Sequence, residues 1–344
     1  MSPNPRKLWR GLVARLAKVS TRHTPTPPVL DDAPVLAHYV RGGFVESAHR
    51  ASVVATAPDG AHLLALGVVD DPIFPRSSNK PIQALAMVRA GLKVPPHHLA
   101  LACASHSGED FHLQGVREML HDAGLTEGAL QNTPDYPVDD LAREAVIRAG
   151  GTKLPISQNC SGKHAGMLAT CVVNGWDTAT YRDPDHPLQR AILATLEELT
   201  DDRVTATAVD GCGAPVMAVT LAGLARAFGR IASAPEGTAE REVADAIRTN
   251  PAYLGGTHRD VTALIEATPG LIAKDGAESV YAVGLADGRG VALKVADGYQ
   301  RAKPVILAAA LRRLGVETPA LERLEDSPVL GHGEPVGAIV AVNL

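Results

Sequence analysis

Strand-like segments stand at both ends of this 344-residue chain, and helical patterns fill its middle. Near the N-terminus, VLAHYVRG, SAHRASVVATA and AHLLALGVV have the character of strands, with Asp59-Gly60 as the turn between the last two. Near the C-terminus, SVYAVGLA and GVALKVAD flank Asp287-Gly288, and EPVGAIVAVNL is a final apolar strand. This order predicts an α+β fold, in which one antiparallel sheet takes strands from both ends and a helical region packs on it.

The middle of the chain carries the helical patterns. Lys80 to Gly91 is predicted as a helix, with Pro81 in its first turn and Gly91 at its end. Further helical segments are 111–123, 139–149, 163–174, 186–200, 215–228, 236–249 and 257–267. The repeated strand–helix–strand order of a doubly wound fold is missing, and so is a phosphate-binding glycine loop.

Residues 1–33 differ from the rest and predict a loosely ordered extension ahead of one domain at 34–344. Basic residues alternate with Leu and Trp there, and the Pro-rich TPTPPV follows. The alternative is a short basic amphipathic helix that touches an anionic membrane surface.

Charge and composition exclude several classes of function. The net charge is −5, which is the wrong sign for general nucleic-acid binding. No apolar run reaches the ~20 residues of a membrane-spanning helix. Four Cys in a chain of this length do not form a disulfide framework, so we expect a cytoplasmic protein.

Lysine is scarce, which draws attention to the few that are present. Only nine of the 33 Lys and Arg residues are Lys. Arg keeps its charge in proteins, whereas Lys can lose its proton and act as a base or ligand. Lys80, Lys163 and Lys274 stand in unusual local sequence and are candidates for such roles.

The first candidate is the Ser77-x-x-Lys80 pair at a helix start. Residues three apart lie on one helical face, and a neutral Lys amine can take the proton of a serine nucleophile. The spacing is that of the serine β-lactamases and penicillin-binding proteins. The alternative is a solvated helix N-terminus with Ser77 or Ser78 as its cap.

Two later segments follow the same chain order. Ser105-His106-Ser107 and Lys274-Asp275-Gly276 are loose matches to the S-D-N and K-T-G segments of those enzymes. Taken alone, Ser105 could be a helix cap and Lys274 a loop lysine.

A third constellation contains cysteines in glycine-flanked loops, Cys160 with Lys163 and His164, and Cys212. Two thiolates and a neutral amine could bind zinc. The alternatives are a Cys160–His164 nucleophile pair or two buried core cysteines. Cys103 and Cys171 lie in apolar runs and are predicted core residues.

Together these segments resemble one family. FPRSSNKPIQA, ASHSGED, SQNCSGKHAGML, DGCGAP and AKDGAESVY are similar to the Rhizobium-type L-asparaginases, from about residue 35 to the C-terminus. The resemblance implies a serine β-lactamase/glutaminase-like fold and a homodimer. It also implies hydrolysis of L-asparagine, a small molecule, to L-aspartate and ammonia. From the charge and the apolar pattern we expect no nucleic-acid partner and no integral membrane segment.

The resemblance also implies roles for ten residues. They are a first Ser-Lys pair (Ser77, Lys80), a second pair (Ser105, Lys274), zinc ligands (Cys160, Lys163, Cys212) and substrate-binding residues (Arg76, His164, Asp210). Ser105 rather than Ser107 is chosen on the S-H match. We expect Ser77 to be the nucleophile and Lys80 its base. The alternatives are a related amidase or glutaminase, an idle amino-acid-binding module, and a zinc-stabilised dimer scaffold.

Overall fold

One antiparallel sheet joins the N-terminal and C-terminal strands in the computed structural model, which describes residues 27–344. The strands are β1 Val35–Arg41, β2 Phe44–Thr56, β3 His62–Leu66, β4 Pro72–Ile73, β5 Thr207–Val209, β6 Pro215–Met217, β7 Val219–Thr220, β8 Ile272–Gly276, β9 Val280–Gly284, β10 Gly290–Val295, β11 Pro328–Gly331 and β12 Glu334–Ala341. The eight-stranded sheet has the order β11-β12-β1-β2-β10-β9-β8, and β3 also pairs with β2. The predicted α+β architecture is therefore confirmed.

Thirteen α-helices lie in the described residues. They are α1 Pro28–Asp31, α2 Lys80–Arg89, α3 Pro96–Ala102, α4 Asp110–Asp122, α5 Asp140–Arg148, α6 Ser161–Asn174, α7 Pro187–Thr200, α8 Leu221–Ala232, α9 Ala239–Thr249, α10 Pro251–Leu254, α11 Asp260–Ala267, α12 Lys303–Arg313 and α13 Pro319–Glu325. Short 3₁₀ turns cover Arg76–Asn79, Glu127–Ala129, Ala277–Ser279 and Gln300–Ala302.

Helices α8 and α12 cover the centre of the sheet. Both contact β9 and β10, and these two strands are buried at every position. Gly284 and Gly290 allow α8 to lie close against the sheet. A Cβ at Gly284 would collide with the backbone carbonyl of Phe228, and one at Gly290 with that of Ala225, both in α8. The resulting apolar core between sheet and helix is the main one of the fold.

A second apolar cluster lies among the helices of the middle region. It includes Met87 of α2, Leu101 of α3 and Leu168 of α6. The same α2 and α3 also contribute Leu85 and Leu99 to the core beneath the sheet. These two helices therefore join the two cores. Ser77 and Lys80 lie at the start of α2, and Ser105 lies shortly after the end of α3.

The predicted helix at 215–228 is wrong in its first half. Residues from Pro215 to Thr220 form β6 and β7, and α8 begins only at Leu221. Thr220 is the N-cap, since its hydroxyl accepts the backbone N–H of Gly223. Asp202 accepts the Thr220 N–H and hydroxyl, which fixes the chain in an extended conformation ahead of the cap.

Part of the predicted extension packs against the domain. Val29 of α1 is fully buried, and its carbonyl accepts a hydrogen bond from the Ser52 hydroxyl of β2. The packed structure therefore starts ahead of residue 34. The alternative of a basic amphipathic helix falls on residues 7–22, which lie outside the described part of the chain, as does the rest of the predicted extension up to residue 26.

Within residues 27–344, every helix is too short or too polar to cross a membrane.

Candidate active site

The amine of Lys80 lies at the junction of three segments. Lys80 begins α2, its side chain is 1% exposed, and its Nζ donates to the carbonyl of Ala104. The same Nζ is 3.1 Å from Ser105 Oγ and 3.2 Å from Cys160 Sγ. Lys80 thus connects a serine hydroxyl to a cysteine thiol.

Ser77 and Ser105 face the same cavity. The cavity has a volume of about 270 Å³, and Asn159, Arg259 and Asp275 also line it. Ser105 is 5% exposed and lies shortly after the end of α3, whereas Ser77 is half-buried in the 3₁₀ turn that leads into α2. The two predicted serines are therefore brought together. The Lys80 amine, however, binds Ser105, and no hydrogen bond joins it to the Ser77 hydroxyl in the described residues.

The backbone on both sides of this cavity is strained. Arg76, directly before Ser77, has φ 53°, and Glu278 and Ser279 beyond β8 both have φ 55°. These left-handed conformations are costly for residues other than glycine and cluster at functional sites. Arg76 is held by Asp210, whose Oδ1 accepts from Arg76 Nε at 2.7 Å. The two predicted substrate-binding residues are therefore an ion pair next to Ser77.

Lys274 lies in a different group, which we call the carboxylate cluster: Lys274, Asp275, Arg259 and Lys303. The fully buried Lys274 Nζ donates to Asp275 Oδ1 at 2.7 Å and to the Asp275 carbonyl at 2.6 Å. Arg259 donates to Asp275 Oδ2 at 2.7 Å, and Lys303 Nζ is 3.6 Å from the same oxygen. Within the part of the chain that the structure describes, no hydrogen bond joins Lys274 to Ser105, so the second predicted Ser-Lys pair is not in direct contact.

Burial and the neighbouring charges together set the charge state of the carboxylate cluster. Burial, together with the nearby charge of Lys80, lowers the pKa of Lys274 to about 8, although Asp275 opposes the shift. Burial alone would raise the pKa of Asp275, but Lys274, Arg259 and Lys303 outweigh it and hold that pKa well below its usual range. Asp275 is therefore a carboxylate that holds several buried cations.

The predicted zinc ligands lie together in what we call the thiol cluster: Cys160, Lys163 and Cys212, with Lys80 against Cys160. Cys160 is the N-cap of α6, Lys163 is in the first turn of that helix, and its Nζ is 3.2 Å from Cys212 Sγ. The three side chains are buried. A hydrogen bond from Cys212, with Lys80 and Lys163 nearby, lowers the pKa of Cys160 well below its usual value despite burial. Burial disfavours charge on Lys163, but the two cysteines raise its pKa.

His164 lies beside the thiol cluster, not on the serine cavity. It is fully buried, and one ring nitrogen, Nδ1, is 2.6 Å from the Tyr181 hydroxyl. Its Nε2 has no hydrogen-bond partner among residues 27–344. Burial lowers the pKa of His164 to about 4, so the ring is neutral.

Among the cavity residues that sequence reasoning missed are Asn159, Arg259 and Asp275. The sequence offered a signal for two of these residues, because each is adjacent to a predicted site residue: Asn159 precedes Cys160, and Asp275 follows Lys274. Arg259 had none, since it stands in an ordinary loop ahead of α11 and reaches the cavity only through the fold.

A family model described as L-asparaginase II matches residues 37–341. The chain belongs to this family. Membership makes it an asparaginase-like amidohydrolase that acts on a small molecule, and the resemblance found in the motifs is confirmed.

Similar solved structures are distant in sequence. A β-lactamase from Mycobacterium bovis is 15% identical, with 77% of this chain and 95% of that chain covered and a TM-score of 0.43. Mglu in its native form is 16% identical (92% and 74% covered, TM-score 0.38). EstCE1, a hydrolase with promiscuous acyltransferase activity, is 12% identical (85% and 95% covered, TM-score 0.39). No curated protein sequence matches the chain.

Proposed function

We propose that this protein hydrolyses L-asparagine to L-aspartate and ammonia through an acyl-enzyme on Ser77. Membership of the L-asparaginase II family supports the substrate class. The observation that carries the mechanism is the buried Lys80 amine on Ser105, in a cavity that Ser77 and Ser105 share. An activated serine needs a base within reach through hydrogen bonds. Lys80 is bonded to Ser105, and the proposal requires the Ser77 hydroxyl to reach Ser105 across the cavity that the two serines share.

The proton of Ser77 passes through Ser105. As a neutral amine, Lys80 accepts the Ser105 proton while the Ser105 oxygen takes the proton of Ser77. The Ser77 oxygen then bonds to the side-chain amide carbon of asparagine, the carbon–nitrogen bond breaks, and the proton on Lys80 returns through Ser105 to the departing ammonia. Water attacks the ester by the same path and releases aspartate. This path assigns Ser105 a relay role rather than a pairing with Lys274.

Ser77 is preferred over Ser105 as nucleophile for two reasons. Ser77 is half-buried on the cavity, and its hydroxyl makes no hydrogen bond to the described protein residues, so a substrate can reach it. It also stands just ahead of α2, where the positive end of the helix stabilises a developing alkoxide. Ser105, by contrast, is held on Lys80.

Arg76 and Asp210 are proposed to hold the ends of the substrate. Arg76 uses Nε for Asp210, and its Nη1 is 3.8 Å from Glu278 Oε1, which leaves Nη2 for an α-carboxylate. Asp210 can accept from the α-ammonium with its second oxygen. We propose asparagine as the preferred substrate over glutamine, with partial discrimination, because one methylene is worth about 1–3 kcal/mol.

Cys160, Lys163 and Cys212 are proposed to hold a zinc ion. Two buried sulfurs with an amine 3.2 Å from one of them are the soft and nitrogen donors that zinc takes. When bound, zinc would supply positive charge near Lys80 and tie the start of α6 to the Asp210–Ala214 turn. We propose a homodimer on the family resemblance, and a cytoplasmic location on the sparse cysteines.

Two measurements test the proposed function. The first is ammonia release from asparagine, glutamine and a β-lactam in parallel. We expect release from asparagine above all, and faster turnover of glutamine would overturn the substrate. Binding of asparagine without release would identify an idle module.

The second measurement is mass spectrometry after trapping with a reactive asparagine analogue. We expect an adduct on Ser77 that is lost in Ser77→Ala. The matched control is Ser78→Ala, because the Ser78 hydroxyl is buried and donates to the Pro75 carbonyl. An adduct on Ser105 would reverse the roles of the two serines, and one on Cys160 would favour a cysteine nucleophile.

A further inference from the structure

A second group of metal-ligating side chains lies away from the serine cavity. His97 and His98 stand at the start of α3, and Glu118 lies on α4. Each offers one ligand atom, and these three atoms lie within 4.8 Å of one another. None of these residues belongs to the serine cavity, the thiol cluster or the carboxylate cluster.

The three side chains open into a large cavity. Its volume is about 630 Å³, and His121 and Asp122 also line it. His98 is 3% exposed, and the one hydrogen bond of its ring among residues 27–344 is Nε2 to Glu118 Oε2, at 3.2 Å. The buried ring thus presents a nitrogen to a carboxylate at a cavity that ions can enter.

A simple His–Glu ion pair does not account for His97. The His97 and His98 rings meet edge to face with centroids 4.2 Å apart, although two protonated imidazoles would repel each other. Two adjacent imidazoles beside one carboxylate are a ligand set, not a balanced charge pair.

We propose that His97, His98 and Glu118 bind one divalent transition-metal ion, with Zn²⁺ as the reference metal. Two imidazoles and a carboxylate are a recognised zinc set, and imidazole also suits Ni²⁺ and Co²⁺. Ligands about 2.1 Å from a tetrahedral zinc lie about 3.4 Å apart, so small side-chain rotations close the site. The fourth position is open to water or to His121, which is one helical turn beyond Glu118.

A bound ion would tie the start of α3 to α4. Helix α3 ends at Ala102, shortly before Ser105, and α4 packs on α6, which carries Lys163. The ion therefore stabilises the helical wall behind the serine cavity without touching the reacting atoms. Its effect is on stability and is independent of the proposed asparagine chemistry.

The test is zinc stoichiometry of the full chain, measured by equilibrium dialysis and elemental analysis. We expect His97→Gln and Glu118→Gln each to bind one zinc fewer per chain than the wild type. Both residues are at least partly exposed, so these variants should fold. Their affinity at this site should fall by tenfold or more, roughly the effect of losing even an outer-shell partner.

The matched control is His62→Gln, because His62 faces a single carboxylate, Asp70, at 3.7 Å. This variant should keep the wild-type stoichiometry and the zinc-induced rise in melting temperature, which His97→Gln and Glu118→Gln should lose. Equal zinc content in all four proteins would overturn the proposal. The proposal would also be overturned if His62→Gln lost as much zinc as His97→Gln and Glu118→Gln, because surface histidines in general would then account for the binding.

Discussion

The thiol cluster and the carboxylate cluster both bury lysines, but they offer the amines different partners. Lys80 meets a carbonyl, a hydroxyl and a thiol, whereas Lys274 meets the carboxylate of Asp275. A carboxylate holds the ammonium form in place, while a hydroxyl can exchange a proton with the amine. Burial alone therefore does not decide what a lysine does, because the partner does. The difference in partners supports the proposed role of Lys80 in proton transfer and a proposed supporting charge on Lys274.

The sharpest test of this comparison is Lys80→Arg. Arg keeps the positive charge but cannot give up its proton, so kcat/KM for asparagine should fall by about 10⁴-fold, as far as in Lys80→Met. Steady-state ammonia release measures the effect. Lys274→Arg is the matched substitution in the other cluster and should lose much less. Equal losses at both positions would erase the distinction between the two lysines.

The next largest effect is expected for Asp275→Asn. The substitution removes the anion from Lys274 and Arg259 and leaves buried cations without a partner, so the free energy of unfolding should drop by about 3–5 kcal/mol. Urea unfolding measures it. Asp287→Asn breaks the exposed Arg289–Asp287 pair and should cost under about 1 kcal/mol. A small loss of unfolding free energy in Asp275→Asn would mean that the carboxylate cluster rearranges or that water enters it.

Lys274→Met should change how stability depends on pH. The folded pKa of Lys274 is about 8, below that of an unfolded lysine, so the unfolded chain binds the extra proton between about pH 8 and 10.5. Wild-type stability should therefore rise through this window, relative to Lys274→Met, by on the order of 3 kcal/mol. The groups that face the amine are Asp275, Arg259, Lys80 and Cys103.

Urea unfolding at several pH values measures the difference between the two proteins. Lys93→Met, at an exposed lysine, is the control and should follow the wild-type curve. Parallel curves for wild type and Lys274→Met would show that Lys274 keeps an ordinary proton affinity in the fold.

The smallest effect concerns zinc in the thiol cluster. Cys160→Ser and Cys212→Ser each remove a sulfur donor, and zinc affinity there should fall by about 100-fold or more, since loss of a ligand exceeds loss of an outer-shell partner. Elemental analysis after dialysis measures the retained metal. Cys103→Ser is the control, because Cys103 is buried in the main core. Full zinc retention in both variants would place the ion elsewhere.

The sequence patterns correctly predicted the elements that are stabilised by residues close to one another in the chain. The turns at Asp59-Gly60 and Asp287-Gly288 and the helix from Lys80 depend on residues close in sequence, and all three are present. The segment 215–228 failed because Asp202, far away in sequence, fixes Thr220 as a cap. A helical pattern cannot reveal such a partner.

The sequence predicted which residues gather at the candidate site better than it predicted which of them are in contact. The motifs indicated Ser77, Lys80 and Ser105, and the structure places the two serines on one cavity with the buried Lys80 amine on Ser105. The S-x-x-K spacing favoured contact between Ser77 and Lys80, but it fixes only where the side chains start. The direction of the long Lys80 side chain is set by the Ala104 carbonyl and Cys160, which only the tertiary fold brings near.

The position of β1 between β2 and β12 has a consequence for how the protein is made. Tyr39 lies opposite Ile339, so the first strand gains that neighbour only after almost the whole domain has left the ribosome. Pairings this distant in sequence are slow to form and leave strand edges open in the meantime. The nascent chain must keep the β1–β2 hairpin, with exposed Phe44 and Val45 at its tip, from associating with other chains. We therefore expect the yield of active protein to depend on translation speed and on chaperones more than its final stability suggests.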